Sequence, residues 1–270
     1  MAEAPRRSGR PAARLRVLRT ERLTPHMIRI VAGGEGIAQF TPNEFTDAYV
    51  KVLFKVPGVE YPEPFDVQEC RATMPREHWP RQRSYTVRAF DPQAGELVLD
   101  FVHHGDDGIA GPWAASAQPG DELLVLGPGG AYAPGAEADW HLLAGDESAL
   151  PAIASSLEAL PAGVLAHVVI LVENEAEEQS LVTKADAQIT WLHRASGGDV
   201  AAAVRELPWH EGVVQAFVHG EAGFVRELRR YLLDERGVQR GLLSISGYWR
   251  YGKNDEAWRE EKAAERAREK

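Results

Sequence analysis

The strongest constraint on the fold is a change of hydrophobic rhythm around residues 133–139. Before it, β-branched and apolar residues come in short runs punctuated by Pro, Gly and Asp, the pattern of a β domain. Runs at Leu15–Thr20, Met27–Val31, Tyr49–Phe54, Ser84–Phe90, Glu96–His103 and Glu122–Leu126 predict strands. DPQAG at 91–95 predicts a hairpin turn, and a short helix is expected around Gly111–Ala117. Residues 57–83 read as one long Pro-containing connection, a length that often carries function. After the change, predicted strands at His141–Ala144, His167–Val172, Ile189–Leu192, Val213–Val218 and Leu242–Ile245 alternate with helices. Leu150, Ile153, Leu157 and Leu160 recur at helical spacing, Val200–Leu207 forms a second helix, and Phe224, Leu228, Tyr231 and Leu232 share one face of a third. Such alternation implies a parallel sheet covered on both faces.

Composition bounds the rest. At ~100–200 residues per domain, 270 residues make about two domains. The expected division is a disordered tail at 1–13, a barrel domain at 14–132, a linker at 133–139, an α/β domain at 140–253 and a charged terminal helix at 254–270. A net charge of -10 argues against nucleic acid, whose phosphates demand clustered cations. The charge is uneven: residues 71–88 hold five arginines against Glu77, whereas 140–248 hold 8 basic and 15 acidic residues. No run of about 18 apolar residues is present, so no membrane span is expected. The basic N-terminus lacks the apolar stretch of a signal peptide. The single Cys70 excludes a disulfide framework and an iron–sulfur centre within this chain, and a cytoplasmic setting is the simplest expectation.

Three segments suggest chemistry. In Arg83-Ser84-Tyr85-Thr86, at a strand start, Arg83 and Tyr85 share a face. A guanidinium fork grips a diphosphate, an aromatic ring lies against a flat heterocycle, and Thr86 offers a hydroxyl near that ring's edge. In the string from His103 and His104 through Gly105, Gly108 and Gly111 to Pro112, a glycine-rich turn runs into a helix start, which suits a diphosphate. The two histidines, adjacent on a strand, would face opposite sides, which argues against a shared metal site. The turn Gly145-Asp146-Glu147-Ser148-Ala149-Leu150-Pro151 is placed as a nucleotide turn but lacks the GxGxxG fingerprint and is not a GxSxG elbow. No metal ligand set, catalytic triad or paired-carboxylate constellation is evident. A β domain followed by a nucleotide-binding α/β domain is the layout of enzymes that hold a flavin on a barrel and a nicotinamide on the adjoining sheet.

Together, RSYTVRAFD, GPWAASAQPGDELLVLGPGG, LLAGDESALPAI, ITWLHR, FVHGEAGFVRELRRYLL and GYWRYG resemble the siderophore-interacting proteins over about Arg14 to Trp258. These are FAD-dependent ferric-siderophore reductases of the ferredoxin–NADP reductase superfamily. The resemblance implies a six-stranded antiparallel flavin-binding β-barrel followed by a Rossmann-like parallel α/β nicotinamide-binding domain. It implies that Arg83 takes the FAD diphosphate with Ser84 alongside, and that Tyr85 and Thr86 sit against the flavin where the chemistry occurs. His103, His104, Gly105, Gly108 and Gly111 would hold the rest of the diphosphate. Trp113 and Ala114 match a Trp-Ala pair, and Trp113 is read as helix core. Gly145, Asp146 and Ser148 would form the nicotinamide turn, Gly220 and Glu221 a second loop beside it, and Tyr248 or Trp249 would cover the ring. Lys51 and Arg250 match positions that contact an anionic siderophore, while a third basic position of the family is here Gly129.

The implied reaction is reduction of a ferric siderophore by NADH or NADPH through the flavin, releasing Fe(II), with a reduced ferredoxin as another donor class. Glu173 and Glu175 would favour NADH by accepting ribose hydroxyls, whereas Arg194 would favour NADPH by gripping a 2′-phosphate. The alternatives are a flavin reductase that feeds a protein partner and a non-catalytic flavin- or siderophore-binding protein.

Overall fold

The computed structural model describes residues 12–105, 108–253, 258 and 261–262. Most of the expected tail and terminal helix therefore lies outside the described residues. The chain divides into two compact units: residues through Leu23 with Met27–Glu44 and Ala48–Gly130, and Thr24–His26 with Phe45–Asp47 and Ala131 onward.

The first unit contains β1 (Ala13–Thr24), β2 (Met27–Gly33), β3 (Tyr49–Phe54), β4 (Arg81–Asp91), β5 (Glu96–Val102) and β6 (Glu122–Gly129). These strands close into a barrel of order β1-β2-β5-β4-β3-β6, every pairing antiparallel. Alternation decides the interior: Leu15, Ile30, Val50, Val52, Leu97, Leu99 and Phe101 are fully buried, and their neighbours face outward. α2 (Ala110–Ser116) follows β5. Its Trp113 packs on Phe54 and Phe101, with ring centroids 5.7 and 5.6 Å apart, as core.

The expected connection at 57–83 has structure of its own. It carries α1 (Val67–Thr73), and β4 already begins at Arg81. Asp66 caps α1 by accepting from the Gln68 and Glu69 N–H groups at 2.6 and 3.3 Å. The helix buries Val67 and Cys70 against Phe65, Leu53 and Leu124. Burial raises the Cys70 thiol pKa, as expected of a packing cysteine rather than a reactive one.

The second unit contains β7 (Trp140–Asp146), β8 (Leu165–Val172), β9 (Asp186–His193), β10 (Val214–Glu221) and β11 (Leu243–Trp249). They form a sheet of order β11-β10-β7-β8-β9 with all neighbours parallel. On one face Trp140, Leu142 and Ala144 pack with Val204 of α4 (Val200–Glu206) and with Val225 and Leu228 of α5 (Ala222–Arg230). On the other, Gly145 leaves room for Ile153 of α3 (Leu150–Ala159), whose Cδ1 lies 3.2 Å from where a Cβ would stand. Tyr231 and Leu232, expected within the last helix, begin a π turn that extends it. The chain winds from β7 to β9 in one direction and returns to β10 and β11 on the other side. The topological switch therefore falls between β7 and β10, where such sheets bind ligands at the strands' C-terminal ends. Among the described residues no helix is long and apolar enough to cross a membrane.

Candidate functional site

In the barrel, the β3–β4 register sets the direction of the flavin-motif side chains. Arg83 pairs with Val52 and Tyr85 with Val50, both fully buried. Arg83 and Tyr85 therefore project toward the barrel interior, whereas Ser84 and Thr86, opposite Lys51 and Tyr49, project outward. The sequence groups these four residues; the strand divides them between two faces. One face of the half-buried Tyr85 ring stacks on Phe101, centroids 4.0 Å apart and planes 30° off parallel. Arg83 donates from Nη1 to the Gln82 carbonyl at 2.9 Å.

Beyond β5 the chain leaves the barrel through His103, half-buried, and His104, exposed. Gly105 and Gly108 take φ of +89° and +86°, which L side chains rarely adopt. A Cβ on either would meet no atom of the described residues within 4 Å, so among these it is backbone conformation that calls for glycine there. At Gly111 a Cβ would lie 3.2 Å from the Val102 carbonyl oxygen, so the start of α2 sits against the strand end. The glycines at 105, 108 and 111, a guanidinium and a backed aromatic ring fit the chemistry of FAD, which needs diphosphate donors and a flat wall.

Lys51 is exposed on β3 beside Tyr49. A Cβ on Gly129 would lie 2.6 Å from Tyr49 Cζ, so the tyrosine ring occupies the space that a longer side chain at 129 would need.

In the sheet, Asp146 closes β7 and is fully buried. Its Oδ1 accepts from the Ser148 backbone N–H at 2.9 Å and from the Ser148 hydroxyl at 2.5 Å. Its Oδ2 accepts from the Glu221 N–H at 2.7 Å and from Trp249 Nε1 at 2.8 Å. One carboxylate thus ties together the ends of β7, β10 and β11. Burial first, and the neighbouring Glu147 charge second, push its pKa up to about 6 against the pull of these donors. Gly220 sits beneath it with φ +138°, and a Cβ there would lie 2.5 Å from Oδ2. Gly145 is equally constrained: a Cβ would meet the His219 carbonyl oxygen and Ala149 Cβ, both at 2.7 Å.

On β10, His219 is buried between Phe217 and Tyr248, with ring centroids 4.1 and 4.8 Å away. Burial pushes its pKa down to about 3, so the ring is neutral and serves as packing for Tyr248. Arg194 lies past β9 and donates to Glu147 at 2.8 Å and Glu173 at 3.1 Å. Burial opposes its charge, but the two carboxylates outweigh that and raise its pKa. Arg250 donates to Glu261 at 2.5 Å, which also holds Lys253.

Sequence reasoning left two features unread. Asp146 was placed as a cofactor contact, but both its oxygens face protein donors, so it acts on the site through Ser148, Glu221 and Trp249. The clamp on Arg194 joins residues 21 and 47 positions away, and only the strand order brings them together.

A closed antiparallel barrel followed by a doubly wound parallel sheet defines a two-domain flavin reductase fold. The chain belongs to the siderophore-interacting protein family: the siderophore-interacting FAD-binding domain matches residues 16–132, and the siderophore-interacting protein domain matches 138–252. It is 33% identical over 252 residues to ferric vibriobactin reductase ViuB of Vibrio cholerae, covering 91% of this chain and 92% of that one. It is 32% identical to an NADPH-dependent ferric-chelate reductase of Escherichia coli, covering 87% and 91%. Among solved structures, a siderophore utilization protein from T. fusca superposes with a TM-score of 0.77 at 38% identity, covering 90% of this chain and 94% of that one.

Proposed function

We propose that the chain is an FAD-dependent reductase that uses NAD(P)H to reduce ferric siderophores and release Fe(II) for iron acquisition. The observation that carries this reading is the presence, in one chain of this family, of the Arg83–Tyr85 face with its glycines and of the Asp146 joint at the switch point of the sheet. When bound, FAD supplies the conversion of a two-electron hydride donor into one-electron reduction of iron. The chain's own residues bind and orient. Arg83 and the turn at Gly105, Gly108 and Gly111 would hold the diphosphate, and Tyr85, backed by Phe101, would wall the ring. Thr86 would reach that ring only at its edge, since it leaves the opposite face of β4. Gly145 and Gly220 let the strand ends close around Asp146, and the turn at Ser148 would face the nicotinamide nucleotide, with Trp249 fixed by Asp146 and Tyr248 by His219. Lys51 and Arg250 would attract an anionic siderophore, and Arg250 would exchange Glu261 for it.

The iron is substrate, held by its siderophore. Hard oxygen donors bind Fe(III) far better than Fe(II), so one electron suffices to loosen it. Such a reductase acts in the cytoplasm, where its donor is found. The test is steady-state turnover of a ferric siderophore with NADH or NADPH, trapping Fe(II) with a chromogenic chelator, with reduced ferredoxin as a parallel donor. The expected result is nicotinamide-dependent iron release faster than reduction of free flavin. Faster turnover on free flavin would favour a general flavin reductase, and a yellow protein inert to every donor would favour a binding protein.

A further inference from the structure

We propose that the clamp of Glu147 and Glu173 on Arg194 makes this enzyme select NADH over NADPH. The inference rests on the reading of the sheet as a nicotinamide-nucleotide site and adds which nucleotide that site takes. Glu147 follows β7, Glu173 follows β8 and Arg194 follows β9, three strands that are neighbours in the sheet. In a doubly wound sheet the nucleotide lies across the C-terminal ends of the strands. A carboxylate past the second strand of the winding accepts the ribose 2′-hydroxyl of NADH, or an arginine nearby accommodates the 2′-phosphate of NADPH. Both residue types stand here, and their pairing decides between them.

The guanidinium fork of Arg194 is engaged on two sides, Nη2 by Glu147 at 2.8 Å and Nη1 by Glu173 at 3.1 Å. The cluster therefore carries one net negative charge. A 2′-phosphate brings about two more, and binding it would require drawing Arg194 off two carboxylates or setting the phosphate against Glu173. The ribose diol of NADH asks for neither. It donates to a carboxylate that keeps its partner. Glu173 is the more accessible acid, its side chain 43% exposed against 22% for Glu147. Glu173 is thus the group that meets the ribose, and Glu147 is the anchor that keeps Arg194 turned toward it. Glu175, two residues further on, is exposed and stands at the start of a 3-10 turn outside this pair.

Calorimetric titration of the flavin-loaded protein with ADP-ribose and with 2′-phospho-ADP-ribose reads the selectivity without any redox step. ADP-ribose is expected to bind at least about tenfold more tightly, and kcat/KM for NADH over NADPH should follow. In the Glu147→Gln/Glu173→Gln double variant the guanidinium is released, and the preference should move toward the 2′-phosphate by about tenfold or more. Equal or tighter binding of the phosphorylated ligand by the wild-type protein would overturn the proposal, as would an unchanged ratio in the folded double variant. Binding of neither ligand would remove the nucleotide site itself, a different failure from loss of selectivity.

Discussion

The two units each put a glycine-containing turn between a strand and a helix, and they shape it by opposite means. After β5, Gly105 and Gly108 adopt positive φ, and among the described residues nothing crowds their missing side chains. After β7, the turn is held by a buried charge, with Asp146 receiving four donors from Ser148, Glu221 and Trp249. The first asks of its glycines only a backbone conformation. The second makes the site a structural joint of the sheet, so its chemistry and its stability are coupled.

Substitutions in the two turns should separate these behaviours. Asp146→Asn turns an all-acceptor group into one that presents N–H to N–H. It should destabilise the second unit by about 3 kcal/mol or more and abolish nucleotide binding while the barrel keeps its flavin; denaturant unfolding followed beside flavin occupancy checks both. The same carboxyl gives a pH signature. Its folded pKa, about 6, lies above the ordinary 3.8. Between those values the folded chain holds a proton that the unfolded chain has lost, so this contribution is greatest below the lower value and is lost as pH rises through about 6. Acidifying from pH 7 to 5 should therefore stabilise the wild type by on the order of 1 kcal/mol relative to Asp146→Asn.

Gly220→Ala combines an unfavourable φ with a Cβ driven against Asp146, and about 2 kcal/mol of lost stability is expected. Gly105→Ala carries only the φ cost, about 1 kcal/mol, and should show itself chiefly as weakened flavin retention, as should Arg83→Ala with no loss of fold. An equal stability loss at Gly105 and Gly220 would dissolve the contrast between the two turns.

Much of the fold was legible because its signals are local. The barrel strands are short apolar runs between Pro and Gly punctuation, and Tyr49–Phe54 is read to its ends because Val50 and Val52 alternate with exposed Tyr49 and Lys51. α1 escaped because seven residues give too few turns for a period, although Asp66 followed by Glu69 already carries the outline of a capping box. The site was legible where one segment supplies it, as in Arg83 and Tyr85 on one strand face. It was illegible where partners come from several strands: Trp249 meets Asp146 across 103 positions. Charge counting saw the acidic second unit but not that two of its acids are committed to Arg194.

The account's central claim is that reducing equivalents pass from a nicotinamide through a flavin held by this chain to siderophore-bound iron. Anaerobic absorption spectroscopy of the purified protein tests it directly. The prediction is a flavin band that one equivalent of NADH bleaches and that two equivalents of ferric siderophore restore, with two Fe(II) appearing per flavin. A protein that binds no flavin, or a bleached flavin that ferric siderophore leaves reduced, would contradict it.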